Sequence, residues 1–449
     1  MAEPQRDALI DTAFGYASLG ERIAATVLSG SRTGWLLLLA GFTTLSLLFL
    51  YTIMLVFTVG VGVLGLNIPV AWGFPIVNVV WWLGIGHAGT LISAILVQLR
   101  QDWRNSVNRF AEAMTIFAAG IAGLFPVLHL GRPWFAYWLV PYPATMEIWP
   151  QWRSPLVWDF FAIATYITVS VLFWYTGLVP DLATMRDRAK PRWAKRIYGV
   201  LCLGWRGAHS HWRRFRTAYL VMAALATPLV VSVHSVIALD FATTIVPGYH
   251  SEMFPPYFVA GAIFSGFAMV LTITIPLRRW LRLEAVITTR HLDIMAKTML
   301  AAGLVVVYAY LVEHFVIWYV GDEYERYMAL NRILGPYACA WWGTMAINAG
   351  VTQLLWSKRI RTSPAILFCV AIVLNVGMWL ERYLIVLSSP HRGYLPAAWD
   401  TESGTMIDWL MLLGSLGLFF ALLTLLLRWI PAVSIYEVKE LLHERREEG

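Results

Sequence analysis

The sequence predicts an all-α polytopic membrane protein, and three observations carry the prediction. Of 449 residues, 59% are hydrophobic and 14% charged, with a mean hydropathy of +0.62, too apolar for a soluble domain of this length. The apolar residues form runs long enough to cross a hydrocarbon core of roughly 30 Å as helices, without the short alternation of barrel strands. The basic residues behind the formal charge of +7 fall in alternate connectors, a pattern of membrane topology that argues against a nucleic-acid partner.

The candidate spans, in order, are 35–62, 74–99, 109–130, 155–178, 217–241, 257–280, 294–320, 334–356, 365–387 and 406–429, about ten transmembrane helices. The N-terminal segment 1–34 is polar and mixed in charge, with no short apolar core or cleavage site, so no signal peptide is expected. AAG at 118–120 in span 3 recurs at 301–303 in span 7, and FP at 74–75 and FPP at 254–256 open spans 2 and 6. This echo suggests two four-helix bundles in parallel orientation, spans 2–5 (74–241) and 6–9 (257–387), with one flanking helix at each end.

Cations crowd the N-terminal segment and the connectors after even spans, Arg100, Arg104, Arg186, Arg213, Arg278 and Arg359 among them. The connectors after odd spans hold only Arg132, Arg153, Arg326, Arg332, Arg392 and few others. The positive-inside rule then places both termini in the cytoplasm. The long basic connector 181–216 reads as a topology anchor on anionic lipid, with docking of a cytoplasmic partner as the alternative. The charged tail 437–448 reads as a short surface helix or a frayed end. Cys202, Cys339 and Cys369 form no CxxC or CxxCH, which argues against Fe–S ligation and covalent haem within the chain.

Ionisable residues inside spans are costly and mark candidate sites. Near the outer ends lie His129, Asp159, His234, Asp240, Glu313, His314, Glu381 and Arg382; His87 is at mid-depth, and Glu112 and Lys297 are near the inner ends. The hairpin 125–161 concentrates the signal. Gly131 and Pro133 break the helix after His129, Pro155 starts the next before Asp159, and Trp134, Tyr137, Trp138, Tyr142, Trp149 and Trp152 lie between. A quinol gives up two electrons and two protons on oxidation, and a His and a carboxylate at headgroup depth are suited to accept those protons. The plainer readings are interfacial aromatic anchors, an Asp159 that favours its helix N-terminus and a satisfied interfacial His129. Glu381 and Arg382 also read as a structural pair, and Glu112 and Lys297 as snorkelling groups. For His87, a polar network or a proton relay is expected. Bound haem is disfavoured, because no second span offers a His at the depth of His87.

The run HSVIALDFATTIVPGYHSEMFPPYFVAGAIFSGFAMV from His234 resembles the NrfD/PsrC-type quinone-binding membrane subunits. So do PVAWGFPIVNVVWWLGIGHAGTLISAIL from Pro69, FPVLHLGRPW from Phe125 and EHFVIWYVGDEYE from Glu313. The resemblance covers spans 2–9 and is strongest to the ActC branch of bacterial alternative complex III. It implies an integral-membrane quinol-oxidising subunit of a respiratory quinol oxidoreductase in the bacterial cytoplasmic (inner) membrane. It further implies menaquinol bound near the periplasmic face, no redox metal in this chain, and His129 and Asp159 as catalytic proton acceptors. Gly131, Arg132, Trp134, Tyr137, Trp158, Arg382 and Arg392 are candidate quinol-binding residues. His87, Glu112, Lys297, Asp240, Glu313 and His314 are candidates for a proton path. The implied partners are a periplasmic Fe–S/molybdopterin-like subunit, haem c subunits, a paralogous ActF-like membrane subunit and a terminal oxidase. A structural membrane anchor and a secondary transporter are the rival readings.

Overall fold

A computed structural model describes residues 9–28, 32–140 and 152–447. Tyr142 and Trp149 lie outside these residues. Among the described residues, nine helices are long and apolar enough to cross a membrane. They are Thr33–Thr58, Gly73–Gln98, Asn108–His129, Pro155–Arg188, His209–Ala242, Phe254–Trp280, Thr289–Tyr319, Pro364–Arg392 and Met406–Leu426. They are spans 1 to 7, 9 and 10. Span 8 is helical from 338 to 356 but changes pitch, from an α-helix (Ala338–Thr344) through a wide π turn (Met345–Gly350) to a tight 3-10 stretch (Val351–Trp356). The wide turn carries Asn348, whose amide donates to Tyr310 at 2.9 Å and Glu381 at 3.1 Å. π turns of this kind concentrate at functional positions.

Spans 2 and 3 pack closely, and spans 4 and 5 pack on each other; in the second unit span 6 packs on spans 7 and 9, and span 8 on span 9. The units join where span 2 lies against span 6, and spans 1 and 10 pair along their length. Small residues permit these approaches: a methyl group at Gly89 would collide with the Ala111 carbonyl of span 3. Span 3 stops at His129 because Gly131 turns the chain at φ +72°, a left-handed conformation open to glycine, and Pro133 lacks an N–H to continue the ladder. Pro155 and Pro364 occupy first helical positions in spans 4 and 9, where the missing N–H costs nothing.

The connector 181–216 is largely helical: span 4 continues to Arg188 and a short amphipathic helix follows at Arg192–Leu201. The tail forms the short helix expected of it, but one face of that helix is buried rather than lying on the surface. Its helix Ile435–Glu447 buries Ile435, Val438, Leu441 and Leu442, and Glu437 with them. Glu437 accepts from Arg104 at 3.0 Å and from Asn108 at 2.5 Å, which replaces the water a surface glutamate would keep. The helix also touches the N-terminal helix Tyr16–Leu28 through Tyr16 and His443, 3.1 Å apart. Both described chain ends thus meet at one end of the bundle, the basic end. The other is the hairpin end.

Candidate functional site

At the hairpin end, His129 is the last residue of span 3 and is half-buried; its Nδ1 is buried with no hydrogen-bond partner among the described residues. Asp159 sits in the second turn of span 4, close to the carboxyl group of Asp240 at the end of span 5. One oxygen of each is buried with no hydrogen-bond partner among the described residues. The sequence placed both aspartates at this depth but did not pair them.

The aromatic residues of the hairpin are arranged differently from a closed wall. Trp134 is 55% exposed and Tyr137 52%, the first against Phe57 and Phe135 and the second against Phe135. Trp158 is also exposed and donates to the Trp152 carbonyl at 2.7 Å. Arg132 is exposed. Nor do the two candidate arginines join the hairpin. Arg382 pairs with Glu381 at 3.3 Å and lies over the Phe258 ring at 4.3 Å; Arg392 donates to Tyr327 and Asn331, each at 2.9 Å. All these partners belong to the second unit.

The second concentration of polar groups lies inside the molecule, where the units meet. His87 of span 2 holds its Nδ1 2.7 Å from the Leu83 carbonyl and its Nε2 2.5 Å from the Val230 carbonyl of span 5. Its ring meets that of His234 edge-on, centroids 4.0 Å apart, and stacks on Tyr166. His234 is fully buried, and neither ring nitrogen has a hydrogen-bond partner among the described residues. Here the expectation that no second histidine shares the depth of His87 is overturned. Helical side chains lean toward their own N-terminus. Spans 2 and 5 are antiparallel, so the His87 ring leans toward the hairpin end and the His234 ring toward the basic end, and the two converge. They touch directly, leaving no room for a macrocycle between them.

On the far side of His234, Phe258 separates it from Arg382. Glu381 behind Arg382 accepts from Tyr310 and Asn348. The inside of the protein thus carries a nearly continuous polar line from span 2 to span 9. The other candidates take structural partners. Glu313 pairs with Arg332 at 2.9 Å, and Arg332 also holds Ser388, Ser389 and the Gly248 carbonyl. His314 lies 2.8 Å from the Tyr310 carbonyl and against Trp341. Glu112 faces Arg109 at 3.5 Å and Tyr219 at 3.2 Å within a buried cluster at the basic end, where Arg109 also donates to Asp181 at 2.9 Å. Lys297 pairs with Asp293 at 2.8 Å, half-exposed at the same end.

Long apolar helices packed around buried histidines define an integral membrane protein with ionisable groups at its centre. The chain belongs to the NrfD family. The family model described as "Polysulphide reductase, NrfD" matches residues 62–391, from the loop after span 1 to the end of span 9. A Halobacterium salinarum protein, named as a putative membrane subunit of a dimethyl sulfoxide reductase, is 25% identical over 351 residues, covering 76% of this chain and 74% of its own.

Proposed function

We propose that this chain is the quinol-binding membrane subunit of a respiratory oxidoreductase of the alternative complex III type. The relative's name supports a reductase membrane subunit; the quinol, its direction of reaction and the complex are our reading. The observation that carries it is a set of buried proton acceptors at the hairpin end. There, at the ends of spans 3, 4 and 5, His129 Nδ1 and one oxygen each of Asp159 and Asp240 are buried with no hydrogen-bond partner among the described residues. Unpaired acceptors suit a ligand that arrives with two hydroxyl groups. When bound, menaquinol would supply two electrons and two protons. His129 would accept one proton at Nδ1, and the Asp159–Asp240 pair would accept the other at a free oxygen and pass it toward the outer face. The positive-inside pattern supports a periplasmic hairpin end and cytoplasmic termini. Electrons would leave to an Fe–S/molybdopterin-like subunit and onward through haem c subunits to a terminal oxidase, with an ActF-like paralogue beside this chain. The polar line from His87 to Glu381 supports a part in proton translocation.

The test is binding of a fluorescent quinol analogue to the purified complex. Saturable quenching in the wild type should weaken about tenfold or more in Asp159→Asn and His129→Ala, the loss of a hydrogen bond to a charged or buried partner. Quenching that both variants retain unchanged would move the site elsewhere. An absence of binding would leave the structural-anchor reading.

A further inference from the structure

The basic end carries a feature that the quinol reading does not use. Beside the start of span 5 and the C-terminal helix lies a cavity of about 750 Å³ lined by Trp212, Arg213, Arg216, Thr217, Tyr436 and Lys439, among others. A second hollow of about 290 Å³ shares Trp212, Tyr436 and Lys439 with it and adds Arg186 and Arg206. Positive charge is in excess here. Arg216 pairs with Glu440 and Arg186 with Asp187, but Arg206, Arg213 and Lys439 form no ion pair among the described residues. Burial, and next the charge of Arg188, push the Lys439 ammonium below its ordinary pKa against a smaller opposing pull from Asp181.

The apolar surface next to the cavity indicates what fills it. Arg213 and Thr217 lie on one stripe of span 5 at a spacing of four, and Val221 and Leu225 continue that stripe one and two turns into the membrane. Val221 is 50% exposed and Leu225 48%. Side chains of span 5 lean toward its N-terminus, so Arg213 reaches away from the apolar strip toward headgroup depth. A phosphate held by unpaired cations, directly above an uncovered apolar strip, is the outline of a phospholipid.

We infer that this cavity is a binding site for an anionic phospholipid, its phosphate held by Arg213 and Lys439 beside the Arg216–Glu440 pair and its acyl chains running along Val221 and Leu225. Trp212 and Tyr436 flank the headgroup at the level where aromatic rings favour the interface. Bound lipid would join span 5 to the C-terminal helix through a shared phosphate and stabilise that contact.

The test uses the full chain in nanodiscs of phosphatidylcholine carrying increasing phosphatidylglycerol. Retained lipid is read by native mass spectrometry and the thermal midpoint by fluorimetry. Phosphatidylglycerol should be retained selectively and raise the midpoint. Arg213→Gln and Lys439→Gln should each weaken retention roughly fivefold, the contribution of one basic side chain at an anionic surface, without lowering the midpoint in phosphatidylcholine alone. Arg359→Gln, which removes an exposed cation elsewhere at the basic end, should have no effect. Equal loss in Arg359→Gln would reduce the effect to diffuse surface attraction and overturn the site. Stabilisation reproduced by inorganic phosphate without anionic lipid would overturn the lipid as its occupant, and so would retention unchanged in both cavity variants.

Discussion

His234 shows how a single residue can be out of keeping with its surroundings. A fully buried imidazole with no hydrogen-bond partner is destabilising by about 1–3 kcal/mol. His87 has the opposite difficulty: its two nitrogens face two carbonyls, yet a neutral ring has one N–H to give. A side chain kept only for packing would not be chosen so. We therefore expect His234→Leu to leave the thermal midpoint of the purified protein unchanged or raise it by a few degrees, while reducing proton release coupled to turnover in proteoliposomes. A fall of the midpoint with coupling intact would make His234 a structural residue. In the sequence, His234 counted as an outer-end residue because its distance was taken from the end of span 5. Depth along a helix axis ignores the lean of the side chain, and the lean brings it to His87.

Single elements are tied together by carboxylates at the hairpin end as well. Thr405 and Asp408 cap span 10, and Asp408 also accepts from the Gly65 N–H, 2.9 Å away, in the connector after span 1. Glu402 beside them is 3% exposed and accepts from the Gly404 N–H at 2.7 Å. Burial, and next the charge of Asp408, push the Glu402 carboxyl up from 4.5 to about 7. The folded state therefore holds this proton more tightly than the unfolded chain. The stabilisation is complete below about 4.5 and is lost as pH rises to about 7. Thermal midpoints measured across that window should fall in the wild type and flatten in Glu402→Gln; parallel slopes would rule this out. The spans themselves were readable because hydropathy and helix-breaking residues act locally. Gly131 and Pro133 end span 3 where the sequence placed the end. The Gly65–Asp408 tie was not readable, since its partners lie 343 residues apart in the sequence. The C-terminal helix had a signal that charge obscured: Ile435, Val438, Leu441 and Leu442 recur at helical spacing and form its buried face.

For the whole molecule, alternating direction through ten helical segments brings the described ends together and sets the hairpin opposite them. If the hairpin end faces outward, a membrane-impermeant maleimide applied to intact cells should label a cysteine at position 132 and not one at 359. The background for this would be Cys339→Ser/Cys369→Ser, because both native thiols are exposed while Cys202 is buried. Labelling in the reverse pattern would invert the topology and place the Asp159–Asp240 pair on the cytoplasmic side. The AAG echo suggested a division into two four-helix units. What the echo could not convey is that the units meet through span 2 and span 6, which puts the histidines of one bundle within reach of Arg382 in the other.

The buried contact between Arg104 and Glu437 has a consequence for biosynthesis. The two residues are 333 positions apart, and the carboxylate is the later one made. During synthesis Arg104 and Asn108 leave the ribosome early and stay without this partner until nearly every membrane segment has been inserted. A nascent chain halted before residue 437 would present an unpaired arginine at the basic end, a mark by which quality-control proteases could tell an unfinished copy from a finished one.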